Sequence, residues 1–189
     1  MTVYFVGAGP GDPELLTLKA KRIIESADVI VYAGSLVNPE VLEYAKEGSQ
    51  LHDSAAMTLE EIVEVMESAV RERKTVARLH SGDPSIYGAI GEQIRILERM
   101  GITCEIVPGV SSFQAAAALL GKEYTVPGGS QTVIITRLKG RTSVPESERL
   151  GELARHRASM CIFLSVHMVE EVVRELKTGY PGDTPAAIV

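Results

Sequence analysis

Residues 3–20 read VYFVGAGPGDPELLTLKA, and this stretch decides the fold. Its first four residues are an uninterrupted apolar run, the length of a buried strand. Glycines and prolines then break the run into a loop. Leu16, Ala20, Ile23 and Ala27 follow at helical spacing on one face. Strand, glycine loop and helix make one β-α unit, and the order repeats downstream. Residues 29–32 form the next strand. Thr58 and Glu61 form a capping box opening a helix that turns Ile62, Met66 and Ala69 inward. Residues 76–79 are a strand, Ile90, Ile94 and Leu97 stripe a helix, and residues 104–107 are a strand. Residues 111–120 are a small-residue helix expected to pack closely. This succession implies an α/β fold with a mostly parallel sheet and helices on both faces.

The rhythm breaks at GKEYTVPGGS, residues 121–130. The boundary is placed there, between an N-terminal α/β domain over residues 1–120 and a C-terminal α/β domain over residues 121–189. The second domain reads as a strand at 133–136, a basic loop at 137–141, a short helix around 147–156 and a strand at 160–164. A helix carrying Val169, Val172, Val173 and Leu176 follows, then an apolar run at 186–189 that reads as a further strand. Chain ends are usually polar and exposed, so a sequence stopping inside a strand reads as an incomplete second domain.

Composition narrows the function classes. Of 189 residues, 45% are apolar and 23% charged, the balance of an ordinary globular protein. No run approaches the roughly 20 apolar residues of a membrane helix. The N-terminus lacks the basic stretch of a signal peptide, so a cytoplasmic protein is expected. The net charge of −6 argues against a nucleic-acid surface, which needs concentrated Lys and Arg. Cys104 and Cys161 lie in apolar runs and read as buried free thiols. His167 with Glu170 or Glu171 has helical spacing but no third ligand nearby, so no metal site is expected.

Three strands end in loops rich in Gly, Pro and Ser: GAGPGDP at 7–13, HSGDPSIYG at 80–88 and PGVSS at 108–112. In an open parallel sheet the carboxyl ends of the strands are where ligands bind, and glycine permits close backbone approach. A dinucleotide fingerprint is not met. Gly7, Gly9 and Gly11 are spaced G-x-G-x-G, and the second strand ends Val31-Tyr32-Ala33-Gly34 without a carboxylate. No Gly-Lys-Ser or Gly-Lys-Thr follows a glycine loop either. A nucleotide-binding regulatory module using GAGPGDP as an anion cradle is the alternative from a different class.

Together the three loops resemble the tetrapyrrole methylase family, which includes the uroporphyrinogen-III, precorrin and diphthine methyltransferases. VGAGPGDPELLTLKA is similar to its opening motif nearly residue for residue, and HSGDPSIYG and PGVSS look like its second and third motifs in order. Within the family, YAGSLVNPEVL, DSAAMTLEEI and HSGDPSIYGAIGEQ are most similar to the branch acting on precorrin-4 at C11, with or without cobalt. Other ring carbons, uroporphyrinogen-III and diphthine are the nearer alternatives. The resemblance implies two α/β domains with S-adenosylmethionine in a cleft between them, S-adenosylhomocysteine as product, a tetrapyrrole substrate of the cobalamin pathway, and a homodimer. By position it implies cofactor contacts at Pro10, Ser81, Gly82, Asp83, Ile86, Ser111 and Ser112, and in the second domain at Ser165 and the Ala186–Ala187 backbone. One departure stands out. Some members carry an acidic residue just after the second strand, assigned to proton transfer, whereas this chain has Ala33-Gly34-Ser35.

Other residues carry readings of their own. Asp83 suits both a cofactor contact and the hydrogen bonding of the Gly82–Ser85 turn. His80 could titrate near neutrality and is a candidate substrate contact. Asp53 is a carboxylate approaching a helix, with proton transfer as the sharper alternative. Arg137, Lys139 and Arg141 could clamp the acetate and propionate groups of a tetrapyrrole, since Arg suits bidentate pairing. Methyl transfer to an electron-rich carbon depends chiefly on positioning and preorganised dipoles, so no activated nucleophile is required and no catalytic residue is assigned.

Overall fold

Short runs of β-branched and apolar residues build the first sheet of the computed structural model, which describes residues 2–140 and 143–189. Its strands are β1 (Thr2–Gly7), β2 (Val29–Tyr32), β3 (Gln50–Asp53), β4 (Val76–His80) and β5 (Thr103–Val107). They pair in the order β3-β2-β4-β1-β5, and every pairing is parallel. Parallel strands need crossovers, and the helices α1 (Leu18–Ser26), α2 (Leu59–Arg71) and α3 (Ile90–Arg99) supply them. Successive side chains leave a strand on opposite faces. Val3, Phe5, Val29, Val31 and Val76 therefore pack on one face against Ile62, Val63 and Met66 of α2 and Leu97 of α3. Val6, Ile30, Ala77, Leu79 and Val107 pack on the other against Ala20 and Ile24 of α1, with Val41 from the 3-10 turn Pro39–Tyr44. All five residues of β4, at the centre, are buried.

Capping chemistry sets where the helices begin. The Thr17 hydroxyl accepts from the Ala20 amide at 3.1 Å. At α2 the capping box is complete: the Thr58 amide donates to Glu61 Oε2 at 2.7 Å, and the Glu61 amide donates to Thr58 Oγ1 at 3.3 Å.

Three elements differ from the sequence reading. The strand β3 is unannounced, because Gln50, Leu51 and Asp53 are exposed and an edge strand buries too little to show an apolar pattern. Helix α4 (Ser112–Leu120) does not pack closely. It has no buried residue, and Leu119 is 77% exposed. Residues 186–189 form no strand and are exposed; a strand needs a neighbour for its backbone groups, and no strand pairs with them among the described residues.

The chain comprises two compact units, one up to residue 115 and one over 116–189, divided within α4. In the second, β6 (Val133–Arg137) and β7 (Ser159–Phe163) pair in parallel, with α5 (Leu150–Ala154) and α6 (Val169–Leu176). Its core gathers Leu138, Leu150 and Val172, with Met160 and Leu176 packed alongside. Both cysteines are free thiols, Cys161 buried and Cys104 half-buried. Among the described residues, no helix is long and apolar enough to cross a membrane.

Thr58→Ala removes one half of the α2 capping box. The expected cost is about 1 kcal/mol of unfolding free energy. In urea titration this should appear as a lowered midpoint with an unchanged slope.

Candidate functional site

The three glycine-rich loops meet at the carboxyl edge of the first sheet, and they meet backbone to backbone. Ala8 N donates to His80 O at 2.8 Å, and Gly9 and Gly82 exchange hydrogen bonds at 3.3 and 2.7 Å. A Cβ on Gly7 would lie 2.6 Å from both Gly109 Cα and Gly82 O, closer than real Cβ contacts come. Gly82 has φ +64°, a conformation glycine adopts without strain. The loops after β1, β4 and β5 are thus one structure.

Asp83 fastens it. Its Oδ2 accepts from Gly109 N at 2.8 Å, while Oδ1 accepts from Ser85 N at 2.8 Å and from the Ser85 hydroxyl. Burial alone would raise the Asp83 pKa, but the Ser85 hydroxyl and the Gly109 and Ser85 amides outweigh it and hold the carboxyl below its ordinary value. The first loop is tied from outside as well, for Asn38 Nδ2 donates to Gly11 O at 2.7 Å. Asn38 escaped the sequence reading; its signal was the Asn-Pro pair that opens the turn at Pro39.

The structure gathers seven of the sequence-selected residues on these loops. Pro10, Asp83 and Ile86 are half-buried, Gly82 is buried, and Ser81 and Ser112 are exposed. Ser111 is buried, and its amide donates to Gln114 Oε1 at 2.8 Å. The remaining candidates belong to the second unit. The Ser165 hydroxyl donates to Phe163 O at 2.7 Å and accepts from Leu138 N at 2.9 Å, joining the carboxyl ends of β6 and β7. Ala186 and Ala187 are exposed and outside any regular element. Arg137 Nη2 donates to Ser143 O at 3.5 Å, Lys139 is exposed, and Arg141 lies outside the described residues.

Beneath the loops, β4 carries two basic side chains into the core. Arg78 is 5% exposed; its Nη1 donates to Ser54 Oγ at 2.9 Å and its Nε to Gln93 Oε1 at 3.4 Å. Burial lowers its pKa to about 10, which leaves it charged at neutral pH. The sequence signal was an arginine inside the otherwise apolar run VARL. His80 stacks on Phe5 with ring centroids 6.0 Å apart, and its Nε2 is buried without a hydrogen-bond partner among the described residues. Burial, and then the charge of Arg78, push its pKa down to about 3. His80 is therefore neutral across the working range, which corrects the reading that it could titrate near neutrality.

At the end of β3, Asp53 Oδ1 accepts from the amides of Gly34 and Ala55, each at 2.9 Å. The Ala55 amide first, and then that of Gly34, hold its carboxyl below the ordinary value. The neighbouring Ser54 hydroxyl donates to Tyr32 O at 2.9 Å, so residues 53–54 clasp the end of β2.

Comparison with known proteins gives this edge a family. The sequence model of the Tetrapyrrole (Corrin/Porphyrin) Methylases matches residues 2–189. The chain belongs to that family. A cobalt-precorrin-4 C(11)-methyltransferase of Methanocaldococcus jannaschii is 58% identical over 188 residues, covering 99% of this chain and 73% of the relative. Among solved structures, a cobalt precorrin-4 methyltransferase superposes with a TM-score of 0.90 at 46% identity, over 93% of this chain and 74% of the other. A uroporphyrin-III C-methyl transferase from Thermus thermophilus, complexed with S-adenyl homocysteine, gives a TM-score of 0.78 at 32% identity, over 96% of this chain and 74% of that one.

The lowered pKa of Asp83 has a consequence for stability. A carboxyl depressed on folding contributes stability above its unfolded pKa and loses it as pH falls through the folded value. Asp83→Asn should therefore flatten part of the acid limb of a melting-temperature profile, below the ordinary carboxylate range. An unaltered acid limb would show that the cross-loop bonds do not stabilise the charged form.

Proposed function

We infer that this chain is an S-adenosylmethionine-dependent methyltransferase acting on C11 of precorrin-4 or its cobalt form, in cobalamin biosynthesis. The observation that carries the inference is the joined glycine edge, within a match that spans residues 2–189 and reaches 58% identity to a cobalt-precorrin-4 C(11)-methyltransferase.

The residues present suit the cofactor. Gly7 and Gly109 leave no room for side chains where the loops cross, and Gly82 has the positive φ that glycine favours, so the surface offered to a ligand there is backbone. An amino acid joined to a nucleoside can be held by such amides and carbonyls without a dedicated charged partner. Asp83 keeps the loops in register, and Pro10, Ser81, Gly82, Ile86, Ser111 and Ser112 stand on them as cofactor contacts. The family resemblance extends the proposed set to Ser165 and the Ala186–Ala187 backbone. S-adenosylmethionine, when bound, supplies a methyl group on a positively charged sulfur. This chain's contribution is positioning: fixed dipoles that need no reorganisation, and a site from which water is displaced.

The substrate side follows from charge. A precorrin carries many carboxylates, and the chain is net acidic, so a local basic patch is needed. We assign that part to Arg137, Lys139 and Arg141; His80, buried in the core beneath the loops, is left out of the substrate contacts. We further propose a homodimer, as the family resemblance implies.

Calorimetric titration with S-adenosylhomocysteine tests the cofactor reading, and micromolar binding is expected. Methyl transfer to precorrin-4 and to its cobalt form then tests the substrate, with the product carbon located by isotope-labelled methyl groups. A chain that binds no S-adenosylhomocysteine contradicts the methyltransferase assignment, and transfer to a different carbon contradicts the C11 assignment alone. Replacing Arg137, Lys139 and Arg141 together with Ala should raise the KM for the tetrapyrrole about tenfold or more while leaving S-adenosylhomocysteine affinity unchanged.

A further inference from the structure

Among the described residues three aspartates stand at the carboxyl edge of the first sheet, and their hydrogen bonds separate their roles. Asp83 has both oxygens engaged in holding two loops together. Asp12 caps the 3-10 turn Pro13–Leu15, accepting from Glu14 N at 2.8 Å. Asp53 differs, because amides from two separate segments, Gly34 and Ala55, converge on the same oxygen, Oδ1. That fixes the carboxylate while leaving Oδ2 with no hydrogen bond among the described residues.

The glycine opposite explains where this anion stands. A Cβ built on Gly34 would meet Asp53 Oδ2 first, with Cγ at 2.7 Å and Oδ1 at 2.8 Å. The carboxylate therefore fills the space that a side chain at position 34 would take. The backbone of Asp53 belongs to the edge strand β3, yet its charge is presented at the end of β2, one strand nearer the glycine loops. Rigidity comes from below: Arg78 holds Ser54 at 2.9 Å, and Ser54 in turn holds Tyr32 O. A group fixed by its neighbours' hydrogen bonds is what precise chemistry requires.

We propose that Asp53 is the proton acceptor of the methyl transfer, a role that rests on the methyltransferase reading above. Carbon methylation breaks the bond between sulfur and the methyl carbon, and that electron pair stays on sulfur. The new carbon–carbon bond forms from a π pair of the macrocycle, which gains one positive charge. The macrocycle discharges it by losing a proton from a nitrogen or carbon conjugated with the new centre, and the electrons of that bond return to the π system. Asp53 Oδ2 takes the proton and, being at an exposed residue, passes it to water. A positioned base contributes roughly 100-fold or more to such a step.

The test compares D53N, D53A and the relocated pair G34D/D53A with the wild-type full chain. Asn keeps an oxygen for the Gly34 and Ala55 amides, so D53N should fold as the wild type does, with S-adenosylhomocysteine affinity within about twofold. Its kcat for methyl transfer should fall about 100-fold with little change in KM. In G34D/D53A the carboxylate returns from position 34 into the space vacated at 53, and kcat should recover at least about tenfold over D53A. A D53N kcat within about threefold of wild type overturns the proposal. So does a fall in kcat matched by equal losses of cofactor affinity and melting temperature, because Asp53 would then be structural. A wild-type chain that binds no S-adenosylhomocysteine and transfers no methyl group brings down the functional reading, and this one with it.

Discussion

Three glycines meet at the carboxyl edge, Gly7 and Gly109 where no side chain can fit and Gly82 at a φ of +64°, and the geometry of the edge follows from that crossing. Two of them end or follow neighbouring strands of the sheet: Gly7 closes β1, which pairs with both β4 and β5, and Gly109 comes just after β5. Register alone would bring those loops near each other. Contact at backbone distance requires the absence of Cβ atoms, and the Gly9–Gly82 bridge and the Asp83–Gly109 bond then lock the arrangement. Overpacking even a well-adapted interior costs about 1–3 kcal/mol, and here the obstruction is backbone, which cannot rotate aside. The edge is therefore rigid because it is nearly bare.

Below the crossing, the central strand tolerates a charge that hydrophobic packing would reject. Arg78 is nearly fully buried and is held by the neutral groups of Ser54 and Gln93. An ion in such a place stays only if its donors are satisfied by well-placed oxygens. The arrangement connects three elements at once: β4 through its backbone, the end of β3 through Ser54, and α3 through Gln93. The cost of burial is offset by a tie that neither apolar packing nor a surface ion pair could provide. The same charge helps keep the adjacent His80 neutral, so one cation on this face excludes a second.

Much of this was legible in the sequence, and the limits of legibility are physical. Strands β1, β2 and β4 announce themselves because buried parallel strands are nearly continuous apolar runs. The capping box at Thr58 and Glu61 is readable because its chemistry is local. Edge strand β3 is invisible, since QLHD buries almost nothing and its pairing with β2 is a long-range fact. The loops on which Pro10, Ser81, Asp83 and Ser111 stand could be named from their glycines and their resemblance to the family. What Asp83 bonds to could not, because Gly109 is 26 residues away. His80 shows the same limit from another side. Residue type suggests a titrating group, and only the fold reveals the burial and the charge that prevent it.

The absence of a nucleophile, triad or metal cluster from the motifs fits this architecture. Transfer of a methyl group from a sulfonium to an electron-rich carbon needs alignment and a place for charge to go, rather than a covalent intermediate. A backbone edge with few side chains supplies alignment well, because amides and carbonyls fixed by a sheet do not reorganise. It supplies charge compensation poorly, since the carboxylates on its loops, Asp12 and Asp83, are already engaged in holding turns and loops together. A carboxylate must then come from a strand end, close enough to act and held firmly enough not to collapse onto a nearby cation. Two amides on one oxygen meet the second condition, and the missing side chain at Gly34 makes the room. On this reasoning the glycine after β2 and the aspartate ending β3 are a single feature written at two places in the chain.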